Sequence, residues 1–565
     1  MTADLIIGID LGTSNSAVSL WQDGRAVLIP NKHGKVLTPS VVGFDDDGHV
    51  ITGQAAKDRL QSHPQLTRAG FKRYMGTDET LVLGQNSFRA EELSALLLRQ
   101  LKNDAEAWLG HPVTDAVITV PAYFNDVQRR AVKTAGTIAG LTVRRLLNEP
   151  TAASIAFGLT GNRECKYLAF DLGGGTFDVS VIDMFEGVIG VCASSGDVRL
   201  GGDDFTEAVC QWMLGKYPEL SEHQYQIRPL LLEQAEQLKI QFSQSNQGSA
   251  FLRWNDMDLH WTMTELEFAA CCQPLLTRLQ KPVLQSLNDA RFSPDDLDDV
   301  LLVGGATRMP LVRQAVARLF GRFPRHDLNP DEVVALGAGI QAGMVMADKA
   351  LDDVVLTDVM PFSLGIETTK RNGLNYEDGY FLPVIERNNF LPVSKLQTVG
   401  TVADNQKIIL LKVYQGEARR VRENIFLGEM EVAIPPRPAG EVEINIRFTY
   451  TIDGLLEVEC TYQGNPKVFR LVIEKVPGQM SDEQIAASLA KIAGLKQHPK
   501  DMPENRELLL QCSRLYEFLL GDERAMADYI TTEFEQALNS QDFRRISTVR
   551  QNVVQFLEQY KGRTE

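Results

Sequence analysis

The spacing of hydrophobic and polar positions changes twice along the chain. Up to about residue 350, short apolar runs at residues 5–9, 116–120, 167–170 and 300–303 alternate with stretches whose apolar residues recur at helical spacing, such as Leu93, Leu96, Leu97 and Leu101. Such alternation predicts an α/β architecture with largely buried sheets. An acid-flanked apolar segment follows, Asp352-Asp-Val-Val-Leu-Thr-Asp358. Beyond it apolar and polar residues alternate strictly: Ile409, Leu411 and Val413, then Val442, Ile444, Ile446, Phe448, Tyr450 and Ile452, a hairpin signal at Asp453-Gly454, and Leu456, Val458, Cys460 and Tyr462. That is the period of an all-β unit with one face buried. From Ser481 the spacing is helical again, with a capping box at Ser481-Asp-Glu-Gln484, a second helix start at Pro503-Glu-Asn-Arg506, and few helix breakers to Glu565. The expected division is 1–351, a linker at 352–358, a β-domain at 359–478 and a helical region at 479–565.

Composition agrees with several domains. A chain of 565 residues exceeds one core and suggests roughly three to five units. With 57 basic and 74 acidic residues the net charge is −17, so nucleic acid and anionic lipid are not expected partners. Seven cysteines without Cys-x-x-Cys spacing point to reduced thiols and not to zinc or a disulfide framework. Cys271 and Cys272 lie in a helical stretch and read as small core residues. No signal peptide or apolar run of membrane-spanning length is evident, and the chain is expected in the cytoplasm without membrane insertion.

Two related loops carry the candidate chemistry: Asp10-Leu-Gly-Thr-Ser-Asn15 and Asp171-Leu-Gly-Gly-Gly-Thr-Phe-Asp178, each at the end of an apolar run. Glycines let backbone amides approach a polyphosphate, and each aspartate is placed to organise magnesium through water. Facing each other, two such hairpins would grip one nucleotide from both sides. Neither a Gly-x-x-x-x-Gly-Lys-Ser/Thr loop nor a Gly-x-Gly-x-x-Gly fingerprint occurs. The loops alone fit a sugar kinase, an actin-like filament protein or a binding-only relative as well as a chaperone; the first two would not need the β-domain after residue 358.

The order of further motifs narrows this. Val120-Pro-Ala-Tyr-Phe-Asn-Asp126, Asn148-Glu-Pro-Thr-Ala-Ala153, Val303-Gly-Gly-Ala-Thr-Arg308 and Asn329-Pro-Asp-Glu332 accompany the two loops, and Val359-Met-Pro-Phe-Ser-Leu-Gly-Ile-Glu367, Ala403-Asp-Asn-Gln406 and Gln415-Gly-Glu417 continue into the β-domain. Over residues 1 to about 475 the chain resembles DnaK-type heat-shock chaperones, and its short form is most like their HscC branch. The resemblance implies an actin-like α/β ATPase domain, a β-sandwich peptide-binding domain and an α-helical lid. The implied function is ATP-dependent binding of extended apolar segments of client polypeptides.

The resemblance also implies roles. Lys72 matches the catalytic lysine, Glu149 would orient the attacking water, and Asp10, Asp171 and Thr176 complete the catalytic set. Asp10 and Asp171 would organise Mg2+, with Asp10 and Asp178 near K+. Gly12, Thr13, Ser14, Asn15, Gly174 and Gly175 would contact the phosphates of ATP or ADP, and Gly304, Gly305 and Asp331 join the nucleotide contacts. Glu236, Lys239, Ser243 and Arg308 match the adenosine pocket, but its upper arginine aligns with Ile240, which predicts weaker binding and faster release. The segment between Phe242 and Thr264 is shorter than its counterpart, which carries a hairpin for an exchange factor, so the usual factor is not expected to bind. Pro121, Arg129, Val354, Val355 and Leu356 would transmit the nucleotide state. Arg145, Asn148 and Thr151 would meet a J-domain co-chaperone. Ile366, Val399, Val402 and Ile409 align with the peptide pocket, beside a loop at 369–390 carrying Tyr376, Tyr380 and Phe381. A short lid would favour fast peptide exchange.

Overall fold

The computed structural model describes residues 5–45, 50–160, 164–185, 188–255, 257–325, 329–351, 355–372, 375–451, 454–463, 467–473, 500, 503–540 and 543–560. They fall into two compact units, Met1–Phe362 and Ser363–Glu565. The capping box at Ser481, the linker residues 352–354, and Ile452 and Asp453 at the expected hairpin turn lie outside the described residues.

The first unit holds two mixed sheets of matching construction. In the first lobe, Ile6–Asp10 pairs in parallel with Asp115–Val120 and antiparallel with Asn15–Gln22. In the second, Cys165–Leu172 pairs in parallel with Asp299–Val303 and antiparallel with Phe177–Phe185. Three of the apolar runs therefore form inner strands and the fourth, at Asp299–Val303, an edge strand, and their residues are almost wholly buried. Each lobe has its own core. Ile7, Ile9, Leu93, Leu97, Leu101 and Ile118 belong to the first. Phe170, Phe205, Trp261, Phe268, Cys272 and Leu302 belong to the second. The helices Glu149–Thr160 and Val333–Val345 pack together, and the latter also lies on Ile6–Asp10. Glycine makes the approach possible: a Cβ on Gly337 would lie 1.9 Å from the Ala152 carbonyl oxygen, and one on Gly8 2.3 Å from the Ala338 carbonyl carbon.

The first unit runs past the expected domain limit at residue 351. Val355–Thr357 adds to the second sheet as an edge strand parallel to Val188–Gly190, so the end of the linker and the residues to Phe362 belong to this unit.

In the second unit, two four-stranded antiparallel sheets form the β-sandwich. One has the order Asn375–Ile385, Leu364–Asn372, Ile408–Gln415, Ile425–Ala433; the other has Val393–Gly400, Glu443–Tyr450, Leu456–Tyr462, Phe469–Ile473. The alternating residues read from the sequence point inward: Leu411, Val413, Ile444, Ile446, Phe448, Leu456, Val458 and Cys460 are all buried. The stretch 369–390, expected as a loop, is mostly the second half of a β-hairpin closed where Asn372 faces Asn375. The C-terminal region contains the helices Pro503–Phe518, Gly521–Ser540 and Phe543–Gln559, with Pro503 at the first position as expected. Gly521, at φ 61°, breaks the first from the second. Cys512, Phe534, Leu538, Ile546 and Val553 give this region a core of its own.

Candidate functional site

The two glycine loops close the hairpins at matching ends of the two central strands. They face and touch each other. A Cβ on Gly174 would sit 1.9 Å from Ser14 Oγ, and one on Gly175 would sit 2.7 Å from Thr13 Cγ2. The second loop is closed on itself by Gly173 N–H donating to Thr176 O at 3.0 Å. A cleft of about 450 Å³ opens between the lobes at this contact. Asp10, Gly12, Thr13, Ser14, Asn15, Lys72, Glu149, Asp171, Gly174, Thr176, Glu236, Lys239, Ile240, Ser243, Gly304, Gly305, Arg308 and Asp331 line it together. Gly175 and Asp178 stand behind that lining.

The floor of the cleft is an acid cluster with one buried ammonium. Lys72, in the short 3-10 turn Phe71–Tyr74, is 3% exposed and donates to Glu149 Oε1 at 2.7 Å. Thr119 Oγ1 donates to Asp10 Oδ1 at 2.8 Å, and the Tyr123 amide donates to Asp178 Oδ1 at 2.9 Å. Burial first, then the neighbouring Glu149 carboxylate, pushes Asp10 and Asp178 each up to about 7 and Asp171 well above the ordinary carboxylate range. Asp171 Oδ2 is buried without a hydrogen-bond partner. Such a cluster suits a cation. Among the described residues no three His, Cys, Asp or Glu side chains form a set that could hold one directly, so a metal here would rely on water and phosphate oxygens as well.

The second lobe builds the wall beside this floor. The helix Gln224–Gln241 presents Glu236, Lys239 and Ile240, and Ser243 follows it. Lys239 Nζ donates to Gly202 O at 3.0 Å and to Thr206 Oγ1 at 2.9 Å, and pairs with Glu236 at 2.6 Å. Arg308, 45% exposed, is held by Asp331 at 2.6 Å and Asn329 at 2.8 Å, which leaves its guanidinium plane at the cleft. The shortened segment after Phe242 still folds as a hairpin, Gln247–Trp254 with Met257–Thr264.

A chain of hydrogen bonds leads from the cleft to the linker. Arg129 donates to the carbonyls of Phe124 and Ala122 at 2.9 and 3.0 Å and to Asn148 Oδ1 at 2.6 Å. Asn148 Nδ2 donates in turn to Asp358 Oδ2 at 2.7 Å. Pro121, buried, begins the turn whose Tyr123 amide holds Asp178 and whose ring packs at a 45° tilt against Phe362, centroids 4.3 Å apart. Leu356 lies in the docked linker strand and Val355 opens it; Val354 is outside the described residues. Asn148 and Thr151 are 5% and 1% exposed, so of the three candidate co-chaperone residues only Arg145 reaches the surface.

In the second unit, Ile366 is buried, Val399 and Ile409 are half-buried, and Val402 is exposed in the turn after Val393–Gly400. Tyr380 is 7% exposed beneath the Arg420 guanidinium, 3.8 Å from its ring centroid, with its hydroxyl bonded to Glu377 and Arg420 at 3.0 Å each. That aromatic is packing, not a free contact for peptide. The side chain of Tyr376 lies outside the described residues.

Several residues of the site were missed from sequence. Asp358 joins the relay although only the linker's apolar residues were singled out. Arg73 reaches across to Asp204 at 2.5 Å, and Gly202 and Asp203 line the cleft. The Gly201-Gly-Asp-Asp204 run ahead of a helix was the available signal, since glycines before a helix start mark close anion approach.

The chain matches the protein family described as Hsp70 protein over residues 6–83 and 79–559. It is similar to the chaperone protein DnaK of Thermotoga petrophila and of Thermotoga maritima, 39% identical over 523 residues, covering 89% of this chain and 86% of each relative. It is likewise similar to the chaperone protein DnaK of Thermotoga neapolitana, 37% identical over 572 residues, covering 96% of this chain and 94% of the relative.

Proposed function

The chain belongs to the Hsp70 family of ATP-dependent chaperone ATPases, and on that premise we propose that the cleft of the first unit hydrolyses ATP to control peptide capture in the second. The observation that carries the reading is the buried Lys72–Glu149 pair, 2.7 Å apart, beside the contact of the two glycine loops. Lys72 would meet the γ-phosphate, and Glu149 would hold the attacking water by accepting its hydrogen bond. Thr13 and Thr176 offer hydroxyls, and the loop amides offer donors, where negative charge spreads in the transition state. The chemistry is positioning and electrostatic stabilisation.

The orphaned Asp171 Oδ2 and the neighbouring acids support Mg2+ held by Asp10 and Asp171 through water, with K+ near Asp10 and Asp178. Bound there, the cations would neutralise phosphate charge. Glu236, Lys239, Ser243, Ile240 and Arg308 would hold adenosine. The aliphatic Ile240 and the short hairpin support nucleotide release without the usual exchange factor.

The relay Arg129–Asn148–Asp358 supports coupling between cleft and linker, with Pro121 and Leu356 at its two ends. A J-domain partner would engage Arg145 and act on the relay through Asn148. Extended apolar peptide would bind over Ile366, Val399, Val402 and Ile409, paired by backbone hydrogen bonds. The domain limits 1–351, 359–478 and 479–565, with 352–358 as a linker docked on the first unit, and a cytoplasmic location belong to the same reading, the latter supported by cysteines that form no disulfide. Single-turnover ATP hydrolysis with and without an apolar peptide tests the whole. Acceleration by peptide and a J-domain is expected; acceleration by a sugar instead, or none by peptide, would overturn the reading.

A further inference from the structure

Two thiols that the cleft chemistry does not use stand side by side in the second lobe. Cys271 and Cys272 lie in the helix Glu265–Ala290 with their Sγ atoms 3.8 Å apart, and neither is in a disulfide. Cys272 is fully buried in the lobe's core, whereas Cys271 is half-buried and reaches its edge. The hydrogen bond from Cys272 holds the Cys271 thiol below its ordinary value, while that same bond, with burial, pushes Cys272 up. A small oxidant therefore meets the more reactive sulfur first.

The backbone at this point is already short of a hydrogen bond. Pro274 lies inside the helix and has no N–H to give the Ala270 carbonyl. This matters because neighbouring Cα atoms are only about 3.8 Å apart, below the roughly 4.4–6.8 Å usual for a disulfide. Closing a bond between adjacent cysteines must open the helical turn, and Pro274 lowers what that costs.

The turn is connected to the cleft. The Cys271 thiol donates to the Phe268 carbonyl at 3.2 Å. Phe268 stacks flat on Phe242, with centroids 4.5 Å apart and planes 1° from parallel. Phe242 ends the helix that presents Lys239 and Ile240 to the cleft, and Ser243 is its neighbour in sequence.

We propose that Cys271 and Cys272 form a peroxide-responsive dithiol switch whose closure shifts the Phe268–Phe242 stack and speeds nucleotide release. In the first step peroxide transfers one oxygen to the Cys271 sulfur, giving a sulfenic acid and one water. The Cys272 sulfur then displaces the hydroxyl, its proton leaving with it as a second water, and the disulfide forms. Two electrons pass from the dithiol to the peroxide, so no other reactant is needed.

The inference rests on the reading of the cleft as a nucleotide site, and the test separates the two. Full-length protein is treated with hydrogen peroxide; the peptide holding both cysteines is weighed, and release of a fluorescent ADP is timed. A loss of two hydrogens from that peptide is expected. Release should quicken about fivefold, the size of one hydrogen bond lost at the wall, and return with dithiothreitol. Cys271→Ser should abolish both changes. Phenylarsine oxide, which bridges adjacent thiols, should quicken release in the unaltered chain, so the result does not depend on that variant folding. Oxidation of Cys271 onward to a sulfinic acid with Cys272 still a thiol would overturn the switch, and so would a disulfide that leaves ADP release unchanged. Failure of the reduced chain to bind ADP sinks the nucleotide reading itself, while the mass measurement still reports on the disulfide.

Discussion

In the first lobe of the ATPase unit the strand Ile6–Asp10 stands between a parallel and an antiparallel neighbour and ends in a glycine loop; in the second lobe Cys165–Leu172 does the same. The additions around the two hairpins differ. The first lobe contributes the turn Phe71–Tyr74, which brings the buried Lys72 ammonium to the acid cluster. The second contributes the helix Gln224–Gln241 and the arginine turn Gly305–Arg308, which wall the cleft. Its outer sheet edge, at Val188–Gly190, also takes up the linker strand. One strand-and-loop construction has been built twice, with the buried ammonium added on the first side and the cleft wall and linker edge on the second.

That division can be broken from either side. Lys72→Ala should slow single-turnover hydrolysis by about 10²–10³-fold while ADP affinity changes little, the pattern expected of an ammonium that acts on charge developing in the transition state. Equal losses in both would mean that Lys72 serves binding and not chemistry. Next in size, Gly337→Ala puts a methyl 1.9 Å from the Ala152 carbonyl oxygen, where the two lobes' helices cross. Denaturant unfolding should show a loss of about 1–3 kcal/mol, and an unchanged midpoint would show that the crossing relaxes freely. Asp358→Ala removes the acceptor of Asn148. Peptide stimulation of hydrolysis should fall about tenfold, in keeping with a lost bond to a charged group, while the unstimulated rate stays within about twofold. Retained stimulation would take the relay out of the coupling. Smallest, Ile240→Arg restores a cation beside the base and should tighten ADP by a few-fold, on the order of 1 kcal/mol; no gain in a fluorescent ADP titration would exclude stacking at that position.

Much of this was legible along the chain, for a physical reason. Backbone cradles need glycine, and buried parallel strands need apolar runs, so both loops and both central strands show in local spacing. The β-sandwich shows through its period of two. Contacts between distant segments leave no local trace: nothing near Asn148 points to Asp358, 210 positions away, and nothing near Arg73 points to Asp204. The stretch 369–390 pairs as a hairpin arm, and the dipeptide between the paired Asn372 and Asn375, Gly373-Leu374, has the glycine-first form that suits a hairpin. Tyr380, one of the aromatics of that stretch, is covered by Arg420, a contact 40 positions away that leaves no local trace.

The crossing of Glu149–Thr160 with Val333–Val345 has a further consequence. At Gly337 and Ala152 no side chain lies between the two backbones, so nothing compressible separates them. The contact can pivot but not close further, which makes it a fulcrum. Glu149, one turn from Ala152, lies near that fulcrum. A pivot at that point would let the cleft change its opening while Glu149 stays close to the axis.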